Sequence, residues 1–315
     1  MNVYLHDPVY ALGDTTYSVD ESVAASRTFS SADTLREAGF RTHHVCSPQT
    51  GVEDLATRTA MQMGECLDTV STLIFSTCLP INGSVGSFSD YQDSRDVKHL
   101  MDFPASRLQA ACGLQDTQVI GLNQQACTGM LGGIRLASAL LRAEPEVDDI
   151  LCITADRFPA DAVYEQSYNL ISDGGAAVVI SRLERGFRVL GCHQITNGAL
   201  VQASDDEAVG TYFNYTHRLV QESLARLELA ITDIDWIIAQ NMNVKAWQIL
   251  ARLLSFDAER VYFDSLPDVG HVISGDNVIN LKKLDDSDAV RRGEKLLMLM
   301  AGYGMNWQSV VLEKV

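Results

Sequence analysis

Apolar residues recur either at every second position or at helical spacing, in blocks that follow one another along the chain. Val3-Tyr4-Leu5 reads as a short strand within residues 1–30, which show little other period. A short helix is predicted over 31–39, with Ser31 at its start and Gly39 at its end. Leu55, Ala56, Ala60, Met61 and Met63 share one face of a helix over 52–67, and a strand follows over 72–77, bounded by Pro80 and Gly83. Pro104 and Gly113 bracket a helix over 103–113. A strand over 119–122 then leads through small residues into a helix whose apolar face (Met130, Ile134, Leu136, Ala137, Leu140) continues to Arg142. Further strands are predicted over 149–154 and, after Gly174-Gly175, over 176–180. No helix follows those glycines, so they predict close backbone approach rather than a phosphate cradle.

The pattern then restarts. A helix over 215–229, an acidic turn and an apolar strand over 233–239 echo residues 61–77, and a closing strand over 308–313 echoes 176–180. Two similar halves are expected, 1–184 and 185–315, each a layered α/β unit. Neither a Pro-rich nor a Ser-rich linker separates them, which predicts that they pack as one body.

Composition narrows the class. The chain has 315 residues, is 46% hydrophobic and 21% charged, and has no uncharged apolar run of membrane-spanning length. No secretory leader is evident at the N-terminus. Seven cysteines (46, 66, 78, 112, 127, 152, 192) are scattered without CxxC pairs, which argues against a disulfide framework or zinc site and for a reducing cytoplasm. The net charge of −17, with no basic run, argues against nucleic acid or an anionic membrane as partner. The same acidity opposes an acidic carrier protein unless a local basic patch offsets it.

The candidate chemistry sits at Asn123-Gln-Gln-Ala-Cys-Thr-Gly-Met-Leu-Gly-Gly133, between the strand over 119–122 and the helix after it. Strand, sharp turn, small residues and helix is a geometry that presents a nucleophile at a helix N-terminus. A thiol at Cys127 meets the positive end of the helix dipole and unpaired N–H groups, which favour the thiolate. A buried small hydrophobe is the alternative for any cysteine.

With these residues in place, the chain resembles the β-ketoacyl-ACP synthase III branch of the thiolase superfamily. Ala126-Cys-Thr-Gly-Met130 resembles the nucleophile motif, Ser172-Asp-Gly-Gly-Ala-Ala-Val-Val179 the GDGAGAVV-like strand, and Gly302-Tyr-Gly-Met-Asn-Trp307 the glycine loop before the last strand. The resemblance implies a duplicated αβαβα fold, a homodimer and an acyl-enzyme on Cys127. It also implies an oxyanion hole from the N–H groups of Cys127 and Gly304.

Two departures change the expected site. The family's HQAN motif reads Gln240-Asn-Met-Asn243 here, and its GN motif reads Gly270-His271, with Asp276 five residues later. The pattern resembles a divergent Cys-His-Asp subgroup of specialised-metabolite pathways. His271 is then the base and Asp276 its orienting carboxylate, unless Asp276 only caps the helix begun by Val278, Ile279 and Leu281. Gln240, with Asn243 as a second supporting residue, can hydrogen-bond but cannot shuttle a proton. Lys245 and Arg252, seven apart on one helix face, match basic positions for a carrier or phosphopantetheine, and equally fit a solvated face. The tryptophan that stacks the CoA adenine in relatives is missing near 31–39. The remaining histidines (6, 43, 44, 99, 193, 217) read as structural or solvated.

The expectation is a cytoplasmic acyltransferase. It takes an acyl group from acyl-CoA or an acyl carrier protein onto Cys127 and passes it to a small-molecule hydroxyl, amine or carbon nucleophile. No metal and no tightly bound cofactor are expected. A decarboxylative ketosynthase and a non-catalytic subunit of a heterodimer are the alternatives. Segments 81–101 and 157–170 are expected to cover the site.

Overall fold

The computed structural model describes residues 1–167, 169–202, 205–303 and 305–315, with backbone alone at 202 and 205–209. Ten strands form one mixed sheet: β1 (Tyr4–Leu12), β2 (Val70–Ser76), β3 (Gln118–Leu122), β4 (Asp149–Asp156), β5 (Gly174–Ser181), β6 (Phe187–Thr196), β7 (Trp236–Ile238), β8 (Val261–Tyr262), β9 (Lys295–Gly302) and β10 (Asn306–Lys314). Their spatial order is β8-β7-β9-β10-β6-β1-β5-β4-β2-β3. Read outward from the β1–β6 junction, the order 1-5-4-2-3 is repeated as 6-10-9-7-8. The pairing directions repeat as well. β2 is parallel to β3 and β4, as β7 is to β8 and β9. β5 is antiparallel to β1 and β4, as β10 is to β6 and β9. At the centre, β1 and β6 meet antiparallel through Tyr4–Arg188 and Leu5–Phe187.

Six helices complete the repeat: α1 (Val52–Ala60), α2 (Pro104–Ala111) and α3 (Gly129–Ala143), then α4 (Asp205–Ala225), α5 (Val244–Leu254) and α6 (Asp276–Asp286). Three apolar cores define the layers. Leu55, Ala56 and Leu108 of α1 and α2 cover Leu73, Phe75, Leu151 and Ile153 on one side of the first five strands. Leu219, Leu224, Trp247 and Leu250 of α4 and α5 cover Ile237, Leu297, Leu299 and Val311 of the second five. The largest core lies between the two sets. There Ile134, Leu141, Ile279 and Leu281 of α3 and α6 meet Ile74, Ile150, Val178 and also Met298, Val310 and Leu312. Along each strand successive side chains thus enter different cores, as a pleat with both faces covered requires. The result is the expected layered α/β fold: α1/α2, the first five strands, α3/α6, the second five strands, α4/α5.

Several predicted elements shift. The helix over 52–67 ends at Ala60, and a 3₁₀ turn, broken at Gly64 (φ 55°), carries the rest. β1 runs to Leu12 instead of stopping at Leu5. A register shift between His6 and Val9, with Asp7 at φ 50°, breaks the alternation that marks a strand in the sequence. The helix over 215–229 begins at Asp205 and ends at Ala225. The strand over 233–239 shortens to Trp236–Ile238. Gly174 supports the close-approach reading, since a Cβ there would sit 2.5 Å from Val272 Cγ1. No helix among the described residues is long and apolar enough to cross a membrane.

Because α3 packs on both five-strand halves of the sheet, truncating it opens a cavity that neither half can close alone. Ile134→Ala is expected to cost about 2–4 kcal/mol, read as a lower denaturation midpoint at unchanged slope.

Candidate active site

The β3–α3 turn is strained and tightly supported. Gln124 (φ 67°) and Ala126 (φ 45°) both adopt the left-handed region that non-glycine residues avoid. A 3₁₀ turn over Ala126–Thr128 lifts Cys127 to a point two residues ahead of Gly129, the first residue of α3. Three side chains hold the turn: Ser274 donates to the Ala126 carbonyl (3.0 Å), Thr128 to the Gln125 carbonyl (2.7 Å), and Gln308 Nε2 to Gln125 Oε1 (2.8 Å). Gly302 lies directly alongside; a Cβ there would come within 2.8 Å of the Cys127 nitrogen and 3.3 Å of its Cβ.

The equivalent turn of the second half, between β8 and α6, supplies the partner groups. His271 is fixed by its backbone: its N–H donates to Leu170 O (2.8 Å) and its carbonyl accepts from Ser172 N (2.9 Å). Gly270 makes this path possible at φ 72° and ψ −162°, with no room for a Cβ 2.9 Å from Ser172 Oγ. His271 Nδ1 is 2.6 Å from Asp276 Oδ2, and His271 Nε2 is 3.7 Å from Cys127 Sγ. Asp276 has no exposed surface, while Cys127 and His271 each retain 4%. Its carboxylate also accepts from Asn241 N and Val272 N, both at 2.7 Å. It is therefore the first residue of α6 with its side chain turned to His271, and does not cap its own helix.

Burial alone would deprotonate His271, but the Asp276 charge and hydrogen bond override it and raise its pKa from 6.5 to about 10. Cys127 is held below the ordinary thiol range, first by the neighbouring Cys78 thiol and then by His271, against the effect of burial. Both directions favour a thiolate beside an imidazolium, a pairing suited to attack on a carbonyl carbon and to protonation of a leaving group.

Other predicted residues fall around this chain. Gln240 sits between β7 and α5; its Oε1 accepts from Ala301 N (2.8 Å) and its carbonyl from Trp247 Nε1 (2.9 Å). Asn243 caps α5, accepting from Lys245 N (3.0 Å). Lys245 lies 3.3 Å from Glu37, both exposed, and Arg252 is exposed in the last turn of the same helix. Gly304 lies outside the described residues. His6, His43, His44 and His193 are bonded to Asp7, Ser22, Thr16 and Glu222 respectively, and none of them to Cys127. The segment 81–101 abuts the nucleophile turn through Ser84 and Asn123 (3.4 Å), and 157–170 borders His271 through Leu170. No group of three metal-ligating side chains occurs among the described residues.

Two contributors were not singled out in the sequence. Asn241 donates from Nδ2 to Gly270 O (2.7 Å) and Ser265 Oγ (2.8 Å), tying the Asp276 partner to the His271 loop. Cys78 follows the end of β2, and its place at the C-terminal end of a parallel strand was its only signal.

A duplicated five-layer α/β fold with a buried thiol, imidazole and carboxylate at its two central helix N-termini is that of the thiolase-like synthases. Two models of one family, 3-oxoacyl-[acyl-carrier-protein] synthase III and its C-terminal region, match residues 123–198 and 224–314, together over half of the chain. The chain belongs to this family. The β-ketoacyl-[acyl-carrier-protein] synthase III of Chlamydia caviae is 26% identical over 282 residues, spanning 79% of this chain and 77% of that protein. Among solved structures, ChlB3, described as an acyltransferase, superposes with a TM-score of 0.84 at 19% identity, covering 100% of this chain and 98% of that one. The synthase III FabH of Pseudomonas aeruginosa PAO1 gives 0.80 at 20% identity over 100% and 98%. At these identities the structural likenesses establish the fold.

Replacing Asp276 removes the charge that opposes desolvation. In Asp276→Asn the His271 pKa is expected to fall from about 10 to below its ordinary 6.5, followed by ¹⁵N-imidazole NMR. The raised pKa contributes stability that is complete below pH 6.5 and lost as pH rises through about 10. The variant should lack that dependence. Gly270→Ala is expected to cost about 1–3 kcal/mol through its backbone conformation, read by thermal unfolding.

Proposed function

We propose that the protein is an acyltransferase of the ketoacyl synthase III type, working through an acyl-enzyme on Cys127. Residues 1–184 supply the nucleophile and 185–315 the base. The observation that carries this reading is the continuous chain from Cys127 Sγ through His271 to Asp276, enclosed at the N-termini of α3 and α6.

The Cys127 thiolate attacks the carbonyl carbon of an acyl-CoA or acyl-carrier thioester. The Cys127 N–H stabilises the oxyanion, with Gly304 as its partner donor. As the tetrahedral adduct collapses, the donor C–S bond breaks and His271 gives its Nε2 proton to the departing thiolate. Neutral His271 then takes the proton of an acceptor hydroxyl or amine, which attacks the acyl-cysteine and restores the thiolate. Asp276 stays ionised throughout and keeps the ring oriented.

Gln240 favours transfer over decarboxylative condensation. Its amide oxygen is committed to Ala301 N and its nitrogen carries no charge, so it offers less to a developing enolate than an imidazole does. ChlB3's description as an acyltransferase agrees with that choice. A carbon acceptor is the second reading, because His271 alone retains a base. The free thiols suit a reducing cytoplasm. A homodimer is supported by exposed Ile81, Val85, Phe88, Val97, Met101 and Phe103 near the unpaired edge of β3. The specialised-pathway assignment rests on the His271 and Gln240 departures. Arg252 is the freer of the two candidate carrier-binding cations, since Lys245 faces Glu37.

Intact-mass spectrometry across acyl-CoAs and acyl carriers tests this directly. A single acyl adduct is expected on the wild type and none on Cys127→Ala; His271→Ala should acylate about 10²–10⁴-fold more slowly. Ester or amide product without CO2 supports transfer, and CO2 release from malonyl thioesters supports condensation. Absence of any adduct would replace both readings with a non-catalytic subunit.

A further inference from the structure

The nucleophile turn is held from the second half by Ser274 and Gln308. From the first half it is held by the turn that follows β2, and a buried carboxylate governs that turn. β4 runs two residues past the pair Ser76–Thr154, where its parallel neighbour β2 stops. Ile150 and Cys152 of β4 enter the central core, and Leu151, Ile153 and Ala155 the outer one. Asp156 is in step with Ile150 and Cys152, so its side chain faces the central layer beside the chain leaving β2. There it is 2% exposed and accepts at Oδ1 from Thr77 Oγ1 (2.6 Å), Cys78 N (2.9 Å), Leu79 N (3.3 Å) and Asn82 Nδ2 (3.4 Å). Cys78 N also lies 3.2 Å from Oδ2, and Asn82 Nδ2 donates to the Arg157 carbonyl as well (3.0 Å).

The residues on either side of this clamp press on the nucleophile turn. Upstream, a Cβ on Gly129 would lie 3.0 Å from Ser76 Cβ. Downstream, a Cβ on Gly83 would lie 2.9 Å from Asn123 Oδ1, and Asn123 Nδ2 donates to Ser84 Oγ (3.4 Å). The clamped residues 77–82 thus join two contacts, one at each end of 123–129, the stretch in which Gln124 and Ala126 hold left-handed backbone. Such residues stay in place only where their surroundings over-determine them. The hydrogen-bond partners of Asp156 are all neutral, and enclosing a carboxylate without a cation costs stability. A neutral amide oxygen has two lone pairs and cannot take four donors at full strength, whereas a charged oxygen gathers them on one atom.

We propose that Asp156 is a positioning residue for the acyl-transfer centre: its carboxylate locks residues 77–82 so that Ser76 and Ser84 hold the β3–α3 turn, and with it Cys127 Sγ, in line with His271 Nε2. The proposal rests on Cys127 being the nucleophile. Asp156 acts through the turn alone, and no proton or bond of the reaction passes through it.

The test is the burst of p-nitrophenolate released as p-nitrophenyl acetate acylates Cys127, read against Cys127→Ala. The burst amplitude counts folded sites, and its rate constant reports their geometry. Asp156→Asn keeps the size of the side chain and is expected to slow the burst about tenfold at undiminished amplitude. Thr77→Val removes one donor at nearly constant volume and should slow it about threefold; Thr77→Ser returns the hydroxyl and should restore the wild-type rate. Hydrogen exchange, followed by mass spectrometry on the peptide over 123–129, should quicken in Asp156→Asn. An unchanged rate constant in Asp156→Asn overturns the proposal. So does a loss of amplitude alone, which marks a residue that only supports folding. If the wild type gives no burst beyond that of Cys127→Ala, the nucleophile reading falls. Exchange over 123–129 then decides for Asp156: faster exchange in Asp156→Asn upholds the brace, and unchanged exchange overturns it.

Discussion

The Asp276 carboxylate is the constraint to which the active centre is tied. A charge with no exposed surface costs several kcal/mol unless every strong acceptor site is filled. Asp276 meets that demand with three donors from two separate segments: His271 Nδ1, Val272 N and Asn241 N. Satisfying the carboxylate therefore fixes the β7–α5 turn against the β8–α6 turn. Asn241 then extends the tie to Gly270 and Ser265, and Asn280 of α6 donates back to Asn241 Oδ1 at 2.9 Å. The imidazole has little freedom left, so its Nε2 points at Cys127 as a consequence of packing.

Duplication explains why a thiol and an imidazole can meet at all. Cys127 lies between β3 and α3, and His271 between β8 and α6, the same place in each half. In the folded chain these two turns become neighbours, because α3 and α6 share the central layer. The halves are then used unequally. The first turn is strained and presents a nucleophile at a helix N-terminus, where positive potential favours an anion. The second spends its glycine on turning the chain and its acidic residue on holding the base. Gly302, from the C-terminal end of β9, leaves the space beside Cys127 open.

A second arrangement in the molecule shows that spacing alone does not make a catalytic centre. Ser181 Oγ lies 2.8 Å from His6 Nε2, and His6 Nδ1 lies 2.9 Å from its chain neighbour Asp7, so that a serine, a histidine and an aspartate stand in line. Ser181 has no exposed surface and also accepts from Leu183 N at 3.1 Å. With no room for a carbonyl at its hydroxyl, the group is a buried hydrogen-bond chain that joins β1 to the end of β5. Access, and a helix N-terminus beside the nucleophile, separate Cys127 from it.

Local pattern was enough to read the layered α/β class, the repeated halves, the strand–turn–helix around Cys127, and His271 with Asp276 as departures from the family motifs. Those features are local: a period of two or 3.6, a glycine at a turn, a residue type at a fixed offset. Strand β1 beyond Leu5 escaped because a bulge at Asp7 breaks the alternation, and the helix over 52–67 was overextended because apolar spacing continues through the break at Gly64. Whether Asp276 capped α6 or held His271 was open in the sequence, since a first-turn aspartate fits both. Only the tertiary structure decided it, by bringing Asn241 and His271 to one carboxylate. Contacts between residues far apart in the chain leave no period to read, and the carboxylate that Asn241 and His271 share is such a contact.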